Sequence, residues 1–370
     1  MKRENHFYRI DFLRMIFVFI IIYGHILQHF LLKHYGNSAE YVELNKYFTT
    51  MFGLSCEILF MISGFLFFYT LKKEISLLDF IITKWIRLAP VVIFSLIIYF
   101  VFSKIGWYKF SVNHAIIQSM FLPYTGIAPS AAFPYLWYID AMFWGMVFYF
   151  YLIRNFNAKY INLFIALIIY FSYVIIIPSN NWYPQNPYCN GILFTYMLRA
   201  LSGLGIGYFC ACLYEKYSLS LSLSLSLSLS LSLLVKIIIS IAETAIFLYV
   251  VKILVIRQTL ASTLAYPILF ISLFILFLMK RGYFSNFVDR KLFSILGRYG
   301  YTAYVMSYVT GIFLMNIVWN NKDIGISAYP MLHLALYIVF TYGIAVLVYH
   351  GIEKPIGNIL KRTYKNSKKV

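Results

Sequence analysis

Acidic residues are scarce in this chain. Its 370 residues include 13 Asp and Glu against 31 Lys and Arg, and all charged residues together make up 12% of the sequence. Soluble globular domains carry about 25% charged residues. Hydrophobic residues instead reach 62%, with a mean hydropathy of +0.76. The shortage of charge therefore excludes a soluble domain and indicates an integral membrane protein.

Cysteine is also rare, with four residues in the chain. Cys56, Cys210 and Cys212 fall within apolar segments, and Cys189 stands alone in a polar connection. Neither a paired cysteine framework nor ligand spacing for a metal is present in this pattern. We therefore expect no disulfide scaffold and no metal site.

The basic residues account for the formal net charge of +18. They cluster in short segments between apolar runs and at both ends of the chain. This distribution is typical of membrane topology and of contact with anionic lipid. We therefore expect the lipid bilayer, and no nucleic acid, as a partner.

Apolar segments of about 20 residues recur along the chain, and each is long enough to cross a hydrocarbon core of about 30 Å. Ten such segments lie near residues 10–32, 46–71, 81–103, 135–153, 160–177, 190–213, 237–255, 259–279, 299–318 and 330–351. The pattern predicts an all-α integral membrane protein with about ten transmembrane helices. We expect one polytopic domain, residues 1–356, followed by a basic cytoplasmic tail, residues 357–370.

A tract of alternating Ser and Leu, residues 218–233, decides between ten and eleven spans. Both ends of the chain and the segment 280–298 are basic, so all three belong in the cytoplasm. An arrangement with ten spans places all three segments in the cytoplasm, and an arrangement with eleven does not. The ten-span arrangement puts Lys252 and Arg257 near the outer face, which counts against it. A lone strand cannot satisfy its backbone in lipid. We therefore interpret the tract as a helical insert, interfacial or re-entrant, on the cytoplasmic side.

Three polar residues stand in the first apolar segment: Asp11, Arg14 and His25. An ionisable group in the bilayer interior costs at least about 2.5 kcal/mol and usually faces a partner, a cavity or a substrate. At about 100° per residue, Arg14 and His25 are offset by only about 20°, and Asp11 lies one turn before Arg14. The three side chains share one face, but about 16 Å of helix axis separates Arg14 from His25. This placement favours chemistry inside the membrane.

An ordered series of short motifs accompanies this stripe. Arg9–Arg14 with His25 is followed by the runs Phe60–Leu66, Arg87–Pro90 and Leu136–Tyr138, then by Arg199 with Gly207 and by Glu353–Pro355. Together they resemble the acyltransferase-3 family of multi-pass membrane acyltransferases along nearly the whole chain. Two positions depart from that pattern. Lys84 stands where the family often has arginine, and the run Tyr301–Ser307 lacks a histidine often found there.

The resemblance implies transfer of an acyl group to a hydroxyl of a surface glycan or of its lipid-linked precursor. The donor would be cytoplasmic acetyl-CoA, or another acyl-CoA such as succinyl-CoA, and the protein would lie in the cell membrane of a bacterium. His25 suits a general base or a nucleophile that carries the acyl group. Arg14 suits a phosphate of the coenzyme, and Asp11 would orient it. Arg87 and Arg199 would add coenzyme contacts.

Each assignment has an alternative. His25 could hydrogen-bond a neighbouring helix, Arg14 could extend to the headgroups, and Arg87 and Arg199 could serve topology alone. Two acidic residues within apolar runs, Glu57 and Asp140, need partners, for which Arg87 or Arg199 are candidates.

For the whole chain, the competing function is a transporter or exporter of a lipid-linked glycan or small anion. Such a protein predicts internal repeats and spans broken by Gly or Pro in matching halves. Neither is evident in the sequence.

The Ser/Leu tract yields a genetic prediction, because a run of TC dinucleotides is translated as alternating Ser and Leu. One hypothesis is that the coding DNA of residues 218–233 is an uninterrupted TC repeat whose length changes switch the downstream reading frame on and off; the alternative is a harmless low-complexity insert. Sequencing this region in several isolates tests the idea. Mixed, non-repetitive codons would leave only a low-complexity insert.

Overall fold

The computed structural model describes residues 6–27, 52–71, 74–127, 134–177, 188–189, 193–224, 233–255, 265–319 and 330–368. Within these ranges every element longer than two residues is helical. The two-residue strands Tyr188–Cys189 and Leu193–Phe194 pair antiparallel. The prediction of an all-α membrane protein is confirmed in its fold class.

Thirteen α-helices lie in the described part of the chain. In chain order they are α1 Tyr8–His25, α2 Ser55–Tyr69, α3 Leu77–Lys104, α4 Val112–Ser119, α5 Trp137–Asn155, α6 Ala158–Ile176, α7 Thr195–Ser224, α8 Leu233–Val255, α9 Ala265–Met279, α10 Tyr283–Val288, α11 Lys291–Leu314, α12 Pro330–Val348 and α13 Lys354–Ser367. Short 3-10 turns precede α2 and α5, at Phe52–Leu54 and Pro134–Leu136, and a third is Pro123–Thr125. Two π-helical turns, Met315–Trp319 and Tyr349–Glu353, follow α11 and α12.

Six described helical segments are long and apolar enough to cross a membrane, judged by length and composition. They are Phe52–Tyr69, Leu77–Lys104, Lys159–Ile176, Thr195–Tyr217, Leu233–Val255 and Leu332–Ser367. Each of the ten segments predicted from the sequence contains a helix in the part that the structure describes. The count of ten crossings and the cytoplasmic placement of both termini stay predictions.

The Ser/Leu tract is helical where the structure describes it. Helix α7 continues without a break to Ser224, and α8 begins at Leu233. Residues 225–232 lie outside the described residues. The prediction that the tract forms a helix is therefore confirmed for 218–224, and its position relative to the membrane stays a prediction.

The chain divides into two compact units, each assembled from three separate sections. The first comprises Met1–Phe17, Thr50–Lys73 and Leu152–Arg298, and the second comprises Val18–Thr49, Glu74–Tyr151 and Tyr299–Val370. Helix α1 contributes residues to both. In the second unit, Tyr364 and Lys368 of the predicted tail both contact the Asp79 carboxylate at the start of α3.

Glycines bring α2 and α7 of the first unit into very close contact. A Cβ added to Gly64 would lie 2.4 Å from the carbonyl oxygen of Leu204, and one added to Gly207 would lie 2.4 Å from that of Met61. Gly203, one turn before Gly207, abuts Phe60 in the same way. Small residues at such spacing let membrane helices approach closely. In lipid the hydrophobic effect does not drive helices together, so close dispersion contacts between them stabilise the pair. Ser63-Gly64 is therefore part of a packing surface.

A buried carboxylate in the first unit caps a short helix. Glu243 of α8 is fully buried and accepts hydrogen bonds from the backbone N–H groups of Gly282 and Ser285, at 3.1 and 3.0 Å, and from the Ser285 hydroxyl at 2.8 Å. These donors lie at the beginning of α10, where backbone N–H groups lack helical partners. Glu243, whose carboxylate would be costly to bury alone in an apolar span, therefore has a local structural role: it caps α10.

The start of α1 is anchored by a second buried charge. Arg9 donates from its backbone N–H and from Nη1 to the Asp289 carboxylate, at 3.0 and 3.2 Å, and from Nη2 to the Leu278 carbonyl oxygen at 3.0 Å. Burial raises the pKa of Asp289, but hydrogen bonds from Lys280 and Arg9 outweigh it and hold the pKa below its usual value. The carboxylate therefore stays charged at neutral pH and fixes α1 to the segment before α11.

We predict that Gly207→Ala destabilises the protein, because the added methyl group meets backbone atoms of α2 that cannot move independently. Overpacking of this kind costs about 1–3 kcal/mol. Thermal unfolding in detergent should show a lower midpoint than for the unaltered protein.

The matched control is Gly343→Ala in α12, where an added Cβ meets nothing within 4 Å. Alanine is about 1 kcal/mol better than glycine in a helix. This variant should be as stable as the unaltered protein or more so. Equal midpoints for both variants would contradict the close packing of α2 and α7.

Candidate active site

Helix α1 carries all three predicted catalytic residues in one unbroken run from Tyr8 to His25. The expectation that Asp11, Arg14 and His25 share a helix is therefore confirmed. Asp11 and Arg14 belong to the first unit and His25 to the second.

Asp11 and Arg14 form an ion pair one helical turn apart. Arg14 Nη1 donates to Asp11 Oδ1 at 3.1 Å, and His6 Nδ1 lies 3.4 Å from Asp11 Oδ2. The Asp11 side chain is 13% exposed and the Arg14 side chain is 28% exposed. Arg14 is therefore held by the ion pair and is still accessible to a ligand. The charge of Arg298, in α11, also acts on Asp11. Two arginines therefore neighbour one carboxylate, which leaves a net positive site suited to an anion.

In the sequence, Arg298 is one of the basic residues of segment 280–298 that indicate a cytoplasmic location. Nothing there predicts its contact with Asp11. The close approach of α11 to α1 explains its position. A Cβ added to the adjacent Gly297 would lie 2.8 Å from the Asp11 carbonyl oxygen. A glycine preceding an arginine is too weak a signal to reveal such a contact without tertiary structure.

His25 is enclosed by aromatic rings of the second unit and is 4% exposed. Its ring centroid lies 4.8 Å from that of Tyr135 and 6.1 Å from that of Tyr304. The Tyr304 hydroxyl donates to the Tyr135 carbonyl oxygen, which ties the two neighbours together. Tyr308, one turn beyond Tyr304, packs at 4.3 Å from Tyr135. The imidazole thus lies in a rigid setting rich in hydroxyl groups.

Three of the quoted motifs meet in the second unit. Arg87 is exposed and close enough to Glu353 for their charges to interact. Glu353 accepts a hydrogen bond from Thr302, and the Tyr301 hydroxyl donates to the Leu88 carbonyl oxygen at 2.5 Å. The Arg87–Pro90, Tyr301–Ser307 and Glu353–Pro355 runs therefore form one polar cluster.

Arg199 lies inside the helix packing of the first unit. Its Nε donates to Glu57 Oε1 at 2.6 Å and its Nη2 to the Gly53 carbonyl oxygen at 2.9 Å, and both charged side chains are 1% exposed. The prediction that Glu57 needs an arginine partner is confirmed. Because Arg199 is buried in this ion pair, a role in structure is favoured over contact with a coenzyme. The coenzyme contact stays a prediction.

Asp140 has a partner that sequence reasoning missed. Its carboxylate oxygens both accept from Nε2 of Gln118 at 3.0 Å, and both residues are fully buried. Neither Arg87 nor Arg199 fills this role, so that part of the expectation was wrong. Gln118 lies in α4, a short helix outside the apolar segments, and nothing in its local sequence marks it as a partner.

Residues 7–350 match the family model of an acyltransferase domain, that of the acyltransferase-3 family. The match covers most of the 370 residues, so the chain belongs to this family and is a membrane acyltransferase. No curated protein and no solved structure matches the chain.

A double-variant experiment separates the two roles of Arg199. We predict that Arg199→Met sharply lowers the amount of folded protein, because removing one partner of a buried ion pair costs about 3–5 kcal/mol. The double variant Glu57→Gln with Arg199→Met leaves no unpaired charge and should restore much of the folded protein.

Quantification in membranes, together with acyl transfer per folded molecule, provides the measurement. Recovery of both in the double variant is expected for a structural pair. Folded protein without acyl transfer in the double variant would show instead that Arg199 serves the reaction.

Proposed function

We propose that this protein is an O-acetyltransferase of a bacterial inner membrane. It moves the acetyl group of cytoplasmic acetyl-CoA to a hydroxyl of a cell-surface polysaccharide or of its lipid-linked precursor. The observation that supports this most directly is the setting of His25. A buried imidazole among tyrosines shares one helix with an Asp–Arg pair, in a chain of the acyltransferase-3 family.

The donor end of the proposed site is the neighbourhood of Arg14. A guanidinium binds phosphate oxygens through two parallel hydrogen bonds, and acetyl-CoA carries several phosphates. Asp11 fixes the orientation of Arg14, and Arg298 adds positive charge. Arg87, exposed in the second unit, is a further proposed contact for the coenzyme. The reaction needs acetyl-CoA as co-substrate, and we propose no metal.

The chemical step is assigned to His25. Its imidazole takes the proton of the acceptor hydroxyl while the oxygen attacks the thioester carbonyl carbon. A new C–O bond forms, the C–S bond breaks, and the proton passes from His25 to the departing thiolate of coenzyme A. Histidine suits this task because its ordinary pKa, about 6.5, leaves much of it neutral at physiological pH. In a second route a His25 ring nitrogen attacks the thioester carbonyl carbon, the C–S bond breaks, and coenzyme A leaves as the thiol with the imidazole proton. The acceptor oxygen then attacks the acetyl carbon, the C–N bond breaks, and the hydroxyl proton returns to His25.

Topology gives the reaction a direction in this proposal. With ten spans and both termini in the cytoplasm, the first apolar segment begins inside near residue 10, and His25 lies about 22 Å along it. Arg14, about 16 Å nearer the cytoplasm, holds one end of a long donor. The acetyl group is then presented in the outer half of the membrane, where a glycan acceptor can meet it.

We predict that His25→Ala abolishes acetyl transfer. Loss of a general base lowers a rate by about 100- to 10,000-fold. Membranes holding the protein would be supplied with labelled acetyl-CoA and with the host's own surface oligosaccharide, previously de-O-acetylated by mild alkali. Label in the oligosaccharide is the readout.

The matched control is His350→Ala, which removes an exposed histidine that contacts Tyr299. It should transfer acetyl groups like the unaltered protein. Immunoblotting verifies that both variants reach the membrane, and His25→Gln repeats the test with a side chain of similar size. Transfer at the original rate in a membrane-inserted His25 variant would refute the proposed mechanism.

A further inference from the structure

Tyrosines form a continuous cluster beside His25 in the second unit. Tyr135 contacts His25, and Tyr308 lies 4.3 Å from Tyr135 between ring centroids. Tyr308 also lies 5.8 Å from Tyr99 and 6.3 Å from Tyr108, and the last two are 5.1 Å apart. These residues come from α1, α3, α11 and two connections, so the cluster exists only in the folded unit.

Hydrogen bonds join the hydroxyl groups of three of these rings. The Tyr308 side chain is hydrogen-bonded to that of Tyr135 and also to that of Tyr108. The three hydroxyls therefore form a row that runs from Tyr108, in the connection after α3, to Tyr135 beside the imidazole. Each hydroxyl both donates and accepts, so the row can exchange hydrogen bonds with another polyhydroxyl molecule.

Burial divides the cluster into two layers. Tyr99, Tyr304 and Tyr138 are 1%, 5% and 9% exposed and form the supporting layer. Tyr108, Tyr135 and Tyr308, the hydrogen-bonded row, are partly exposed.

Two hydrogen bonds hold these residues: one joins Tyr304 of the supporting layer to Tyr135, and the other fixes the part of α11 that carries Tyr308. The Tyr304 hydroxyl donates to the Tyr135 backbone, and the Tyr337 hydroxyl donates to the Ser307 carbonyl oxygen at 2.7 Å. The partly exposed Tyr108, Tyr135 and Tyr308 therefore pack on buried residues whose positions are themselves fixed.

An interfacial belt is the common reason for tyrosine in a membrane protein. Belt residues lie around the perimeter and point their hydroxyl groups to the headgroups. The row described here instead consists of rings in edge-to-face and tilted contact beside a buried histidine, with hydroxyls bonded to each other. That arrangement is typical of a binding surface with an apolar face and fixed polar groups.

We propose that Tyr108, Tyr135 and Tyr308 form the acceptor subsite, which binds a sugar ring of the glycan. The C–H face of a pyranose packs on the aromatic rings, and its hydroxyls bond with the row. One sugar hydroxyl then lies beside His25. This inference rests on the proposed function, and it makes the three tyrosines determinants of acceptor binding that take no part in holding the donor.

Two substitutions at Tyr308 test the subsite. Tyr308→Phe keeps the ring and removes the hydroxyl shared by the other two residues. Loss of one such hydrogen bond should weaken acceptor binding by up to about tenfold. Tyr308→Ala removes the ring as well and should weaken it further. Tyr170→Ala, which removes an aromatic ring that is 62% exposed, is the control and should have no effect.

Two quantities are measured on the purified protein. One is the Kd for the de-O-acetylated surface oligosaccharide in the absence of acetyl-CoA, and the other is the KM for each substrate during turnover. We expect the Kd and the acceptor KM to rise in the order Phe, then Ala, with the acetyl-CoA KM unchanged. Thermal unfolding verifies that each variant is folded.

The outcomes separate the subsite from the proposed function. Unchanged oligosaccharide binding in a folded Tyr308→Ala variant overturns the subsite, and so does a rise confined to the acetyl-CoA KM. If the unaltered protein binds the oligosaccharide through Tyr308 but transfers no acetyl group, the proposed function fails and the glycan site stands. If the unaltered protein acetylates the oligosaccharide but Tyr308→Ala binds it equally well, the proposed function stands and the subsite fails.

Discussion

A polar group without a partner is expensive in hydrocarbon, and this constraint governs the polar interior of the protein. Glu57 is paired with Arg199, Arg9 with Asp289, and Asp140 with Gln118. The carboxylate of Glu243 is occupied by the donors that begin α10. In a chain with 13 acidic residues, several are thus committed to holding helices in register. Arg14 differs, because its side chain is paired with Asp11 and still partly exposed. That difference is the reason for proposing Arg14, rather than the fully buried charges, as a contact for the donor.

Glycine packing complements these polar contacts. Gly64, Gly203 and Gly207 bring the backbones of α2 and α7 together. Glu57 and Arg199 precede these glycines on the same two helices. Close packing excludes water and lipid, so the two charges depend on each other and on the Gly53 carbonyl oxygen for their partners. The resulting rigidity supports the role of these helices as scaffold, while α1 carries the groups proposed for chemistry.

The sequence predicts features that depend on local pattern. Apolar runs predicted helices at all ten segments, the spacing of Asp11, Arg14 and His25 predicted one shared helix, and the isolated charge of Glu57 predicted an arginine partner. Features that depend on tertiary contact escaped prediction. Gln118 pairs with Asp140 from a helix outside the apolar segments, and Arg298 reaches Asp11 through a glycine contact. The tyrosines beside His25 are partly visible in retrospect, since Tyr301, Tyr304 and Tyr308 follow helical spacing. Their convergence with Tyr108 and Tyr135 required the fold.

We propose that the protein attaches acetyl groups to a surface glycan, using His25 in a tyrosine-lined setting. The decisive measurement is mass spectrometry of surface glycans from cells with and without the intact gene. The glycan should lose one acetyl group per modified unit when the gene is removed and regain it on complementation. A difference of one succinyl group would change the donor and keep the acyltransferase. Identical glycan masses with and without the gene would contradict the proposed function.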